Sequence, residues 1–121
     1  MIIQLESIFD PDLTFELDKK IGSPLFKANQ YTKLLAPMRV NIVGGGSWVT
    51  EFEALTGLDT RLFGYTGYYT HVAIGPYINA AFPAFMKQNG YATSAFFPTS
   101  GIFYNSRKAH LNFEWVTEPG V

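Results

Sequence analysis

RVNIVGGGSWVTEFEALTGL, residues 39–58, passes from an apolar, β-branched run through three glycines into a segment with helical spacing. The run at 39–43 reads as a buried strand. Ser47 follows the glycines directly and stands where a helix N-cap belongs, and Gly57 stands where a glycine would end that helix. This is a strand, tight turn, helix unit. Three glycines in a row raise the entropy cost of folding, so such a turn generally makes room for a close approach.

Working outward, residues 1–5 form a second short apolar run with Glu6 and Ser7 directly after it, a strand that presents Glu6 at its carboxyl end. Residues 10–24 are broken by Asp10-Pro11-Asp12 and Gly22-Ser23-Pro24 and read as a surface excursion. A helix is expected over 25–35, ended by Pro37, and a loop over the glycine- and tyrosine-rich 63–69. Pro76 is expected to open a helix with Ile78, Ala81, Phe82, Phe85 and Met86 on one stripe and Gly90 at its stop. A third strand at 91–97 and a short helix near 105–110 complete the pattern. Strand and helix in alternation predict an α/β fold, a mostly parallel sheet flanked by helices.

Nine basic against ten acidic residues give no footprint for nucleic acid. The absence of cysteine excludes a disulfide framework, a zinc-thiolate site and a thiol nucleophile. No run approaches the roughly 18 apolar residues of a membrane span, and the first residues lack the pattern of a signal peptide. The apolar opening suggests that sequence is missing upstream.

Ser47 is the leading candidate for chemistry. A hydroxyl at a helix start meets unpaired N–H groups and the positive end of the helix dipole, which favour a phosphate there. Pattern alone divides evenly between that reading and a plain N-cap serine. A dinucleotide fingerprint and an esterase elbow both fail because Val49 stands where each requires a small residue. Glu6 is a candidate cation ligand by its place at a strand end, although burial statistics favour a solvated carboxylate. Asp10 and Asp12 read as turn residues. His71 and His110 are far apart in sequence and lack ligand spacing, so a site built from them is not expected. Arg107 carries a planar fork suited to phosphate, or is a solvated helix residue.

Four blocks in order, IIQLESIFDP, VGGGSWVTEFEALTGL, FMKQNGYATSAFFPTSGIFYNSR and the weaker LNFEW, resemble the sulfatase-like phosphoglycerol transferases, the lipoteichoic-acid-synthase type of the alkaline phosphatase superfamily. The resemblance spans nearly the whole chain. It implies that residues 1–121 are the N-terminal portion of one sulfatase-like catalytic domain whose C-terminal metal-ligand half is absent. The family's first-strand glutamate, a metal ligand, falls on Glu6. Its catalytic threonine or serine, four residues before the glutamate of the E-F pair, falls on Ser47, which is also a metal ligand, with Thr50 as the competing hydroxyl. The head-group contacts fall on Tyr104, Asn105 and Arg107, with Ser106 as an extra residue before the arginine, and a histidine of some members is replaced by Phe97.

The implied cofactor is one divalent cation, Mn²⁺ ahead of Mg²⁺ or Zn²⁺. The implied reaction moves a phosphoglycerol group from a phospholipid-type donor to a glycan or glycolipid acceptor through a phosphorylated Ser47. The family works at the extracytoplasmic face of the membrane or in the periplasm, so a membrane-anchored parent is implied. A sulfuric ester hydrolase is disfavoured because Ser47 is followed by WVTE and not by x-P-x-R. The Asp-His pair that completes the family's metal site has no counterpart here, so the chain by itself is expected to be an inactive fragment. Apolar surface, and with it self-association, is expected where the other half would pack. Two further readings stay open: a non-catalytic binder of anionic glycerol-phosphate head groups, and a plain α/β domain without a ligand.

Overall fold

Helix α2, Ser47–Thr56, forms where the glycine turn and the apolar spacing placed it. Gly44 and Gly45 both take positive φ, 83° and 95°, a conformation that a side chain would resist. At the far end Gly57 is left-handed, and its N–H closes the last turn on the Glu53 carbonyl. The cap itself differs from the expectation. Gly46 is the N-cap, without a side-chain hydrogen bond, and Ser47 is the first helical residue.

The computed structural model describes residues 2, 3, 5, 8–96, 100–113, 116 and 117, and they fall into two compact units, Met1–Arg39 and Val40–Val121. In the first unit Pro11–Thr14 makes a single helical turn, α1, capped by the Asp10 side chain accepting from the Asp12 N–H. Asp12 in turn accepts from the Ile21 and Gly22 N–H groups at 2.7 and 2.9 Å, tying the ends of the excursion together. These bonds hold its carboxyl below the ordinary carboxylate range. Replacing Asp12 by alanine is therefore expected to speed hydrogen exchange at Ile21 and Gly22 while leaving α2 amides unchanged, which NMR exchange rates would read. The helix expected over 25–35 is absent. A 3₁₀ turn at Pro24–Phe26 is followed by irregular chain, in keeping with the weak apolar periodicity there. No described residue of this unit is buried.

In the second unit the chain leaves α2 through Gly57 and winds through 3₁₀ turns over Thr60–Tyr69, kinked at Gly64, where a loop was expected. A π-helical turn, Thr70–Ile74, and a 3₁₀ turn, Gly75–Tyr77, follow. The helix expected from Pro76 starts later, as α3, Phe82–Gln88. Pro83 explains the shift: it has no N–H to give a preceding turn and crowds the carbonyl four residues back, so a helix begins at it and does not run through it. Helix α4, Ser106–Phe113, falls where a short helix was expected, preceded by a 3₁₀ turn at Phe103–Asn105.

The only strand pairing among the described residues is β1, Ala95–Phe96, parallel to β2, Val116–Thr117. Residues 39–43 and the described part of 1–5 are irregular. A parallel strand depends on hydrogen-bonded neighbours in its sheet, and 39–43 has none among the described residues. It is held by a side chain instead: Glu53 Oε1 accepts from Asn41 Nδ2 and from the N–H and hydroxyl of Thr60. The core is small, with Phe52, Ile74, Ala81 and Ala109 buried together and Leu55, Leu58, Ala73 and Ile78 packed around them. It joins α2 to the π turn and to α4, the three elements that carry the site.

Candidate functional site

Ser47 lies at the start of α2, half-buried, and its hydroxyl takes no hydrogen-bond partner among the described residues. The Val49 N–H turns back onto the Gly46 carbonyl at 2.9 Å. One residue on, Trp48 donates its ring N–H to the Tyr68 carbonyl at 2.9 Å and stacks on Tyr104, the ring centres 3.9 Å apart and the planes 21° from parallel. Such a stack is worth about 0.5–1.5 kcal/mol beyond its buried area. Tyr104 and Asn105 both have positive φ, 49° and 60°. Neither is glycine, and two consecutive left-handed residues persist only where the surroundings enforce them. The enforcing contacts are the stack on Trp48 and the bond from Asn105 Nδ2 to the His71 carbonyl, 2.8 Å.

Two of the three expected head-group residues, Tyr104 and Asn105, are thus tied to the Ser47 helix and to the π turn. Arg107 is exposed on the first turn of α4, its backbone N–H donating to the Gly101 carbonyl at 2.8 Å. Glu6 and Phe97 lie outside the described residues. Of the expected metal set only Ser47 is described, and one neutral hydroxyl is too little to hold a cation.

A second constellation was not expected. Glu51, one helical turn after Ser47 and therefore on the same face of α2, meets both histidines of the chain. His110 Nε2, from α4, lies 2.8 Å from Glu51 Oε1, and His71 Nε2, from the π turn, lies 3.3 Å from Glu51 Oε2. The rings stand edge to face with centres 5.5 Å apart. Both histidines are buried, and the Glu51 side chain keeps 16% of its surface. Burial would push the Glu51 carboxyl up, but the facing imidazoles, His110 ahead of His71, outweigh it and hold the group down at about 2. Neither histidine is a surface residue, and the separations of 20 and 39 positions between the three members leave no local spacing that could have revealed them.

No protein-family model matches the chain, and no solved structure matches it. The chain is similar to an uncharacterized protein of Haemophilus influenzae, 25% identical over 123 residues that cover 98% of this chain and 22% of that protein. It therefore spans about a fifth of the length of the relative. No helix among the described residues is long and apolar enough to cross a membrane.

Proposed function

We propose that this chain carries the nucleophile-bearing section of a phosphoryl-transfer domain of the sulfatase-like phosphoglycerol transferase type. The observation that carries the reading is the Ser47 hydroxyl, unengaged at the first position of a ten-residue helix, behind two glycines at positive φ. A serine retained for capping would spend its oxygen on an N–H of the first turn, and Gly46 holds the cap position instead. The helix start favours negative charge, as a phosphodiester and its transition state require.

In this reading the Ser47 oxygen attacks the phosphorus of a phospholipid-type diester. A phosphoglycerol-serine bond forms, the bond to the lipid oxygen breaks, and the proton of the serine hydroxyl leaves on that oxygen. An acceptor hydroxyl of a glycan or glycolipid then displaces Ser47 and returns a proton to it. The strained Tyr104-Asn105 turn beside Trp48 supports a role in binding the head group, with Arg107 as a further phosphate contact. The cation that the resemblance implies, Mn²⁺ foremost, would be held by Glu6 and Ser47 with ligands from an Asp-His half. Its chemistry would be to lower the pKa of the serine hydroxyl. The setting is the extracytoplasmic face of a membrane or the periplasm.

The test is peptide mass spectrometry on the polypeptide that unites this section with its Asp-His half, after exposure to phosphatidylglycerol and Mn²⁺. A phosphoglycerol adduct on Ser47 is expected. An adduct on Thr50, or turnover with neither residue modified, would overturn the assignment.

A further inference from the structure

The geometry points to a binding site for one divalent transition-metal ion of the Zn²⁺ class, built from the Glu51 carboxylate and the Nε2 atoms of His71 and His110. It uses neither of the ligands that the resemblance implies, Glu6 and Ser47, and it stands whether or not Ser47 is a nucleophile. Three elements that share the core bring the donor atoms within 4.8 Å of one another.

His71 supplies the decisive detail. Its ring is 1% exposed, and its Nε2 atom has no hydrogen-bond partner among the described residues, although Glu51 Oε2 is only 3.3 Å away. Either a proton or a cation can sit between a ring nitrogen and a carboxylate oxygen. A proton needs the two in line, and this pair is not aligned for a hydrogen bond. The other side of the ring fixes which nitrogen carries hydrogen. The Thr70 hydroxyl donates to the Trp48 carbonyl at 3.4 Å, so its oxygen is left to accept from His71 Nδ1, 3.3 Å away. That bond places the proton on Nδ1 and turns the Nε2 lone pair toward the carboxylate. A lone pair facing an anion in a buried site is uncompensated unless a cation lies between them. A ligating imidazole whose second N–H is held by a polar neighbour is also the usual arrangement in metal centres, and fully buried Thr70 has that place here.

The donor set selects the ion. Two imidazoles and one carboxylate suit Zn²⁺ and its neighbours, whereas Mg²⁺ and Ca²⁺ favour oxygen throughout. Ligand bonds of about 2.0–2.2 Å in a tetrahedron put donors roughly 3.3–3.5 Å apart. The His71 pair already has that spacing, and the 2.8 Å His110 pair would open by about half an ångström on exchanging its proton for the ion. Three protein ligands leave a fourth position, and the partly exposed Glu51 gives water or a small anion access to it.

Co²⁺ is the probe, because its visible absorption reports coordination number. Titrated into the metal-free 121-residue chain, it is expected to bind one to one with the intense bands of a tetrahedral complex, and Zn²⁺ is expected to displace it. His71→Gln and His110→Gln are expected to abolish those bands, and Thr70→Val, which keeps the shape of the side chain, to weaken binding about 10–100-fold. Weak octahedral bands only, no saturable binding, or binding unaltered in both histidine variants would overturn the proposal. Should either variant fail to fold, the native chain decides through ¹⁵N NMR of its two histidines: Zn²⁺ must shift Nε2 of both rings while His71 keeps its proton on Nδ1. Unshifted Nε2 resonances at saturating Zn²⁺ would refute the site.

Discussion

Replacing Ser47 by alanine is expected to lower phosphoryl transfer by about 10⁴–10⁶-fold in the united domain, the scale on which removal of a covalent nucleophile acts. The same change is expected to leave the folding free energy of the chain within about 0.5 kcal/mol. The contrast carries the argument. Loss of a capping hydroxyl costs about 0.5–2 kcal/mol, but the cap of α2 is Gly46, and the Ser47 hydroxyl holds no partner among the described residues. A large loss of stability in the urea transition would make Ser47 a structural residue. Full activity in the variant would move the nucleophile elsewhere, with Thr50 the nearest alternative hydroxyl. Activity lost without loss of stability is the signature of a group kept for chemistry.

Glu51→Ala is expected to have the opposite profile. In the metal-free chain it removes the carboxylate bonded to buried His110, the one such carboxylate among the described residues, and breaking a buried pair in this way costs about 3–5 kcal/mol. Proton linkage gives the same sign independently. The Glu51 carboxyl is held at about 2 in the fold against 4.5 as its ordinary value. Below 4.5 the unfolded chain takes up its proton first, so this contribution is fully present above that pH and is lost as the pH falls toward 2. A difference of this size corresponds to about 3 kcal/mol. Urea unfolding of the metal-free chain, followed by tryptophan fluorescence between pH 6 and pH 2, should show that decline in the native chain. It should be much reduced in Glu51→Ala, whose stability is already low. Equal slopes in the two chains would mean that other carboxylates carry the acid sensitivity.

What was legible in the sequence was local. Helix α2 could be read because its start, its spacing and its stop are written within residues 44–57, and α4 starts within one residue of the expected helix but runs three residues further. Pro83 is equally visible in the sequence, and its missing N–H, not the apolar stripe that runs back to Ile78, sets the start of α3. The strands were less accessible for a physical reason: a strand exists only with its neighbours, and the described residues hold a single parallel pair. The two histidines illustrate the same limit at the site. Nothing within a few residues of His71 marks it as a partner of Glu51. The π turn, the Thr70 contact and the close packing of α4 make it one. Tyr104 and Asn105 could be singled out through the resemblance, but their left-handed backbone could not, because it is imposed by Trp48 and by the His71 carbonyl.

The π turn has a consequence for how this segment tolerates changes of length. Over Thr70–Ile74 the Gly75 N–H reaches back five residues, to the Thr70 carbonyl, so the turn holds one residue more than an α-helical turn would. Val72 is the exposed member of that loop of backbone, 59% open to solvent, and is the natural one to lose. Deleting it would let the segment rewind in the α register, turning His71 by about 100° relative to Ile74, while Ile74 and the Phe52 of α2 stay fixed in the core. His71 would then swing away from Glu51 while helical content was preserved, so a single deleted codon is expected to leave the circular dichroism spectrum intact and separate the two histidines.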